Sequence, residues 1–378
     1  MPNVRRGMMA AAGVSTATTF SIWGAGRNSY GGSLGDGTTT DRSSPVQMGD
    51  KSDWTGFDKA GDYGSGAINS AGELWTWGRN NRGQLGLGDT TDRSSPTQVG
   101  SLTDWAVVSS GQQEMAAIKK DGTLWTWGFN ASGQLGLGDT TSYSSPVQVG
   151  SLTDWSSDAG GLCTTIDNNM FALKTDGTLW VWGGNGGDFL LGLGDTTARS
   201  SPTQSGSVST WAFVNSTAQT GAAIRTDGTL WTWGKADAGQ LGNGQDSTPA
   251  SSPIQIGSLT NWYIIDGGGP HWNAVKTDGT LWAWGQGTAG ELGLGDTTAR
   301  FSPVQVGSLT DWSKGASLYN TSGAIKTDGT FWTWGDNYYG AQGNGTTTSS
   351  SSPAQIGSLT DYLDVGGDNA QMRITRES

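Results

Sequence analysis

Asp121-Gly122-Thr123-Leu124-Trp125-Thr126-Trp127-Gly128 decides the fold, because close copies of it recur along the whole chain. The Trp-Gly pair marks the period: Trp23, Trp77, Trp127, Trp182, Trp233, Trp284 and Trp334 are each followed by glycine. Six intervals separate the first marker from the last, about 52 residues each, and a fixed period of that size is the mark of a solenoid, array or propeller. Within the stretch, Asp-Gly offers the positive-φ positions of a tight two-residue hairpin turn, with alternating bulky residues on either side. Ala117-Ile118-Lys119 leads in and Leu124-Trp125-Thr126-Trp127 leads out. On a strand the two indoles project to one face and Leu124 and Thr126 to the other, so the strand is expected to lie between neighbouring sheets.

A chain of 378 residues exceeds the usual size of one compact core, so it must divide into domains or repeat a small unit. The 63 glycines would suggest disorder on their own, but 20 tryptophans at the repeat period argue for ordered, turn-rich β structure. With Cys163 as the single cysteine there is no internal disulfide, and stability must come from packing. A net charge of −12 opposes binding to nucleic acid or anionic membrane, which relies on Lys and Arg neutralising phosphate. No run of 18 apolar residues is present to insert in a membrane. Arg5 and Arg6 precede the mildly apolar Met8 to Val14 in the manner of a signal peptide. That run is short and rich in Ala and Gly, so residues 1–18 are expected to form an arm ahead of a repeat region at 19–378.

Each unit continues in the same way. After Trp-Gly and a short variable piece comes Gly-Gln-Leu-Gly-Leu-Gly-Asp-Thr-Thr or a relative, as at Gly83 to Thr91 and Gly133 to Thr141. A Ser-Pro pair follows, as at Ser95-Pro96 and Ser145-Pro146; proline lacks an N–H, so each pair should start a strand or lie on a sheet's outer edge. Gly-Ser-Leu-Thr-Asp-Trp then turns the chain back, ending at Trp54, Trp105, Trp155, Trp211, Trp262, Trp312 and the aromatic variant Tyr362. Four strands in about 52 residues make one propeller blade. The expected fold is therefore all-β, a seven-bladed β-propeller of four-stranded antiparallel blades. Gln371 to Thr375 matches the strand before the Asp-Gly turn and Thr19 to Gly24 the strand after it, so the N- and C-terminal strands should close the ring together.

The Asp-Gly-Thr-Leu-Trp-x-Trp-Gly hairpin, the Gly-Gln-Leu-Gly-x-Gly segment, as at Gly239 to Gly244, and the Pro-x-x-Val/Ile strand resemble the RCC1 (regulator of chromosome condensation) repeat family over about residues 19 to 375. The resemblance implies a seven-bladed propeller. The family includes a nucleotide exchange factor for a small GTPase, a plant ultraviolet receptor and a bacterial secreted inhibitor of β-lactamases. Many members carry a histidine after the inner strand of most blades; here His271 alone does, with Glu114 and Asn320 read at matching positions. The paired tryptophans recur at strand positions, so packing rather than a photoreceptor patch explains them.

Residues for chemistry are few. One His and one Cys do not furnish a nucleophilic pair or a multi-ligand metal site, so no enzyme, cofactor or metal is expected. Asp89, Asp139, Asp195 and Asp296 recur in the Gly-Asp-Thr-Thr turn and read as turn-capping residues. Antiparallel connection places the loops between strands one and two and between strands three and four on one face of the ring. There the repeats differ, and that face should carry Tyr30, Tyr63, Arg79, Arg82, Phe129, Phe189, His271, Trp272, Tyr319, Tyr338 and Tyr339. Trp272, Tyr319, Tyr338 and Tyr339 are expected to form an aromatic patch across adjacent blades, of the kind protein interfaces favour. Tyr and Trp also stack on sugars, so the expected partner is a protein or a surface glycan. The first sixteen residues resemble the starts of some structural proteins of marine bacteriophages. The resulting expectation is a binding or structural protein on a virion or extracellular surface, in a fibre, tail or capsid decoration, with other virion proteins among its partners. A secreted inhibitor or regulator and a sugar-binding adhesin are the alternatives.

Overall fold

The computed structural model describes residues 18–58, 63–158, 160–164, 168–245, 248–368 and 370–377; all but the last residue of the expected arm lies outside them. The described residues form twenty-eight strands and no helix. The hairpin at the centre of each unit is built differently from the two-residue turn expected. Gly122 alone takes a positive φ, of 79°, while its N–H donates to the Lys119 carbonyl and the Lys119 N–H donates to the Thr123 carbonyl. This is a three-residue loop, a type I turn closed by a left-handed glycine. A Cβ at Gly122 would lie 2.2 Å from the Thr153 carbonyl oxygen, so both backbone angle and space require glycine.

The rest of the motif has a structural reason residue by residue. The Asp121 carboxylate accepts the Thr123 N–H at 3.0 Å and hydroxyl at 2.7 Å, and Thr123 Oγ1 accepts the Trp125 indole N–H at 2.9 Å. The same Asp–Thr–Trp relay recurs at Asp176, Asp227, Asp278 and Asp328. The second indole reaches into the preceding blade: Trp127 Nε1 donates to the Gln84 carbonyl at 2.9 Å and Trp182 Nε1 to that of Gln134 at 2.9 Å. Gly-Gln-Leu-Gly is thus the seat for the next blade's tryptophan. A Cβ at Gly86 would lie 2.8 Å from Trp127 Nε1.

Blade 2 shows the pattern: Trp105–Ser110 is innermost, then Glu114–Lys119, Leu124–Gly128 and, outermost, Tyr143–Gln148, all antiparallel. Pro96, Pro146, Pro202 and Pro253 all sit in outermost strands, where the pairing register shifts, the sites where a missing N–H costs least. Blade 7 is assembled from both ends of the chain: Tyr362–Asp368, Gln371–Glu377, Phe20–Gly26 and Arg42–Gln47. A bridge between Phe20 and Trp54 joins it to blade 1.

The register of blade 7 corrects one reading. Trp23 pairs with Gln47 and Gly26 with Arg42, as Trp282 pairs with Gln305 and Gly285 with Arg300 in blade 5. Trp23 therefore occupies the first indole position, and Ala25-Gly26 stands where other blades have Trp-Gly. Its indole N–H goes to Ser21 Oγ at 2.9 Å, the bond the relay threonine makes elsewhere.

Seven clusters of buried side chains lie between consecutive blades. The one between blades 7 and 1 contains Ile22, Leu34, Met48, Trp54, Ala67 and Trp77. Within most of them a returning tryptophan meets both hairpin tryptophans, as Trp105 meets Trp125 and Trp127 at 6.1 and 6.4 Å, distances typical of favourable edge-to-face pairs.

Candidate functional site

The loops of the variable face are anchored before they are decorated. Asn80, fully buried, donates to Asp89 Oδ1 at 3.0 Å and the Thr91 carbonyl at 3.1 Å, and its own Oδ1 accepts the Leu85 N–H at 2.9 Å. Asp89 also caps Thr91 and binds Arg93 at 2.7 Å. The backbone hydrogen bond from Thr91, then Arg93, holds its carboxyl below the usual carboxylate range. Asp195 and Asp296 are lowered likewise, first by Arg199 and Arg300, and Asp139 caps Thr141 in the same geometry. The recurring aspartates are structural and tie down the ends of these loops.

On these loops the structure brings together Tyr339, Tyr30, Tyr63 and Arg79, with a residue the sequence reading missed, Arg27. The Arg27 guanidinium lies 3.6 Å from the Tyr30 ring and 4.9 Å from that of Tyr339. Arg79 lies 5.0 Å from Tyr63 and 5.9 Å from Tyr30, and Tyr30 meets Tyr63 edge-on at 5.4 Å. Tyr338, 72% exposed, packs edge-on against Tyr339 at 4.9 Å. The surface therefore crosses blades 6, 7 and 1. Arg82 and Phe129 form a separate pair at 5.1 Å between blades 1 and 2. Phe189 and Tyr319 make no ring contact with the others; Tyr319 is 40% exposed and Phe189 is half-buried with φ 58°. The signal for Arg27 was present: Gly26-Arg27-Asn28 repeats Gly78-Arg79-Asn80. It was hidden by aligning Trp23 two residues out of step.

His271 and Trp272 do not belong to this surface. Both lie in the strand His271–Lys276 and are fully buried. The Trp272 ring stacks on Trp284 at 6.3 Å and 24°, and its N–H donates to the Gln240 carbonyl at 2.9 Å. Its register holds Met115, Met170 and Met372 in blades 2, 3 and 7, all of them interior. The expected patch of Trp272 with Tyr319, Tyr338 and Tyr339 is therefore replaced by the tyrosine–arginine surface. The same register puts Thr321, rather than Asn320, level with His271.

His271 Nε2 lies 2.9 Å from Ser322 Oγ, which looks like half of a nucleophilic pair. The bonding pattern removes that reading. Ser322 Oγ donates to the Glu291 carbonyl at 2.8 Å, so the imidazole must donate to Oγ and has no base function toward it. Burial pushes His271 down to about 3 and the Cys163 thiol up to about 11, so neither is poised for catalysis near neutrality. Among the described residues no group of three His, Cys, Asp or Glu could hold a metal.

A pH prediction follows from His271. It is neutral in the fold and its pKa lies below the unfolded value, so stability is undiminished above about pH 6.5 and falls as pH drops toward 3. Between about pH 7 and pH 4 the stability advantage of wild type over His271→Gln should shrink by about 3 kcal/mol, measured by urea unfolding. A constant difference would contradict burial of the neutral ring.

Seven four-stranded antiparallel blades, the last assembled from both chain ends, define a β-propeller repeat protein. The family model "Regulator of chromosome condensation (RCC1) repeat" matches residues 71–118, 121–161, 227–271, 278–317 and 328–366, more than half of the sequence. The chain belongs to the RCC1 repeat family. The Ultraviolet-B receptor UVR8 of Arabidopsis thaliana is 29% identical over 244 residues, which cover 62% of this chain and 42% of the receptor. The E3 ubiquitin-protein ligase HERC2 of Homo sapiens is 29% identical over 243 residues, 63% of this chain and 4% of the ligase. The chain thus spans less than half the length of both relatives. A solved chain from Kap60 bound to yeast RCC1 (Prp20) superimposes with a TM-score of 0.83 at 18% identity, covering 98% of this chain and 95% of that one. Human WBSCR16 does so with a TM-score of 0.81 at 20% identity, covering 96% and 99%. At these identities the structural likeness is one of fold.

Proposed function

We propose that this chain is a non-enzymatic scaffold that binds a partner protein through the tyrosine–arginine surface of blades 6, 7 and 1. One observation carries the reading: Arg27 and Arg79 lie over tyrosine rings, and among the described residues neither makes an ion pair. In a chain of net charge −12, two guanidiniums without an ion pair, packed among exposed and half-buried tyrosines, form the kind of centre around which interfaces gather their binding energy. Carboxylates on the partner would complete both. The RCC1 fold is compatible with a protein partner, as in Kap60 bound to yeast RCC1.

The test is affinity capture with purified wild-type protein and the double variant Tyr30→Ala, Arg79→Ala. Two anchors worth about 2 kcal/mol each should together weaken the captured partner several-hundred-fold, with unfolding midpoints unchanged. Equal capture by both proteins would remove the reading. Glycan-array signals abolished by the same variant would reassign the surface to a sugar. Placement on an exposed phage particle rests on the opening sixteen residues, outside the described structure, and on a composition poor in Lys, His and Cys and rich in Gly, Ser and Thr. Mass spectrometry of purified particles that lacked the protein would end it.

A further inference from the structure

In six blades the second strand ends on a cation seated over two aromatic rings: Lys119, Lys174, Arg225, Lys276, Lys326 and Arg376. In four of them an aspartate of the return segment completes the arrangement. Asp104 meets Lys119 at 3.3 Å, Asp154 meets Lys174 at 3.2 Å, Asp311 meets Lys326 at 3.3 Å and Asp361 meets Arg376 at 2.7 Å. Blades 4 and 5 depart from this. Thr210 and Asn261 occupy the aspartate position, identified by the same backbone bond: Thr226 and Thr277 donate to their carbonyls as Lys120 does to that of Asp104.

Without the carboxylate the cation settles onto the rings. Arg225 lies 3.7 Å from Trp231 and Lys276 3.5 Å from Trp282. Where aspartate is present the corresponding lysine distances are 4.6, 4.4 and 4.6 Å. The two cations without a return-segment carboxylate then differ in access. Lys276 is 4% exposed. Arg225 instead lines a cleft of about 460 Å³ between blades 3 and 4, with Thr203, Gln204, Ser205 and Ser252 around it. Among the described residues the Arg225 guanidinium makes no ion pair, and its Nε is buried without a hydrogen-bond partner. The other arginine in the cleft, Arg199, is already engaged by Asp195 at 2.7 Å.

We propose that the blade 3–blade 4 cleft binds a carboxylate, supplied by an acidic side chain of a partner chain, which takes beside Arg225 the place that aspartate fills in blades 2, 3, 6 and 7. The chemistry is specific to this position. A guanidinium presents a planar fork of donors matched to carboxylate, this one lies 3.7 Å from the Trp231 ring and 4.7 Å from that of Trp211, and hydroxyls and an amide line the approach. The return segment and the Asp-Gly hairpin lie opposite the tyrosine–arginine surface, so either site stands without the other.

The experiment is titration of the full chain with penta-glutamate and, separately, with sodium glutarate. Binding is followed by the NMR signal of Arg225 Nε–H and by indole fluorescence. Penta-glutamate should shift both signals saturably. Thr210→Asp, which supplies the missing carboxylate internally, should weaken the response roughly tenfold or more, and Arg225→Gln should abolish it. Asn261→Asp, the same change in the closed blade 5, should leave it unaltered. Peptide binding tighter than glutarate binding supports a partner chain as the source. Glutarate binding as tight as the peptide, equal responses in wild type and Thr210→Asp, or no response at millimolar ligand would each overturn the proposal.

Discussion

Removing residues 371–378 should abolish the folded ring rather than trim it. The strand Phe20–Gly26 would lose a partner along all seven of its residues, exposing an edge in the middle of a blade. Met372 and Ile374 are 2% and 1% exposed, and withdrawing two such side chains costs about 1.5–3 kcal/mol each. Arg373 goes with them. It pairs with Asp58 at 3.2 Å, both side chains 1% exposed, and Asp58 also accepts hydrogen bonds from Gly66 N–H and Ser110 Oγ. One buried carboxylate thus ties blades 7, 1 and 2, and leaving it without its cation costs about 3–5 kcal/mol. Together these losses match the whole stability of an ordinary domain. The truncated protein should show no cooperative urea transition, whereas Ile374→Ala alone should cost about 2–5 kcal/mol. A truncated chain unfolding at the wild-type urea concentration would mean that the terminal strand is not what closes the ring.

How much of this could be read from the sequence depends on whether a residue acts through its own backbone or through a distant blade. The Asp-Gly hairpin was legible because Gly122 must adopt a positive φ whatever surrounds it. Its loop length was not, since the difference from a two-residue turn lies in the conformation of Lys120 and Asp121. Proline placement was legible for the same local reason. Seven blades and their closure were legible from period and from the two half-hairpins at the chain ends. The slip at Trp23 arose because Trp-Gly was treated as one mark, when Ala25 fills the second indole position of blade 7 and only the pairing with Gln47 reveals it. That slip concealed Arg27 and with it the centre of the tyrosine–arginine surface. Thr210 and Asn261 were visible as departures from Gly-Ser-Leu-Thr-Asp-Trp, but their meaning needs the lysine–tryptophan seat, in which the lysine meets an aspartate 15 positions earlier and indoles from two strands.

Trp272 separates an account based on exposed aromatics from one based on packing, and its substitution is the sharper test. Were it a surface anchor, Trp272→Ala would reduce partner affinity and leave stability intact. In the structure it is fully buried in the cluster with Ala222, Ile224, Ile265 and Trp284. It shares the Gln240 carbonyl with Trp284, which donates at 3.2 Å beside the 2.9 Å bond from Trp272. The neighbouring backbone is shaped to hold it, since a Cβ at Gly267 would lie 2.6 Å from its ring. Trp272→Ala should therefore cost about 3–5 kcal/mol, the range for deleting a large buried aromatic. Trp272→Met, the residue type at this register in blades 2, 3 and 7, should recover a good part of that loss. Tyr338→Ala, at a side chain 72% exposed, should change stability by less than about 0.5 kcal/mol. Urea unfolding of the three variants decides the matter: equal midpoints for Trp272→Ala and Tyr338→Ala would return Trp272 to the surface and undo the interior assigned to blade 5.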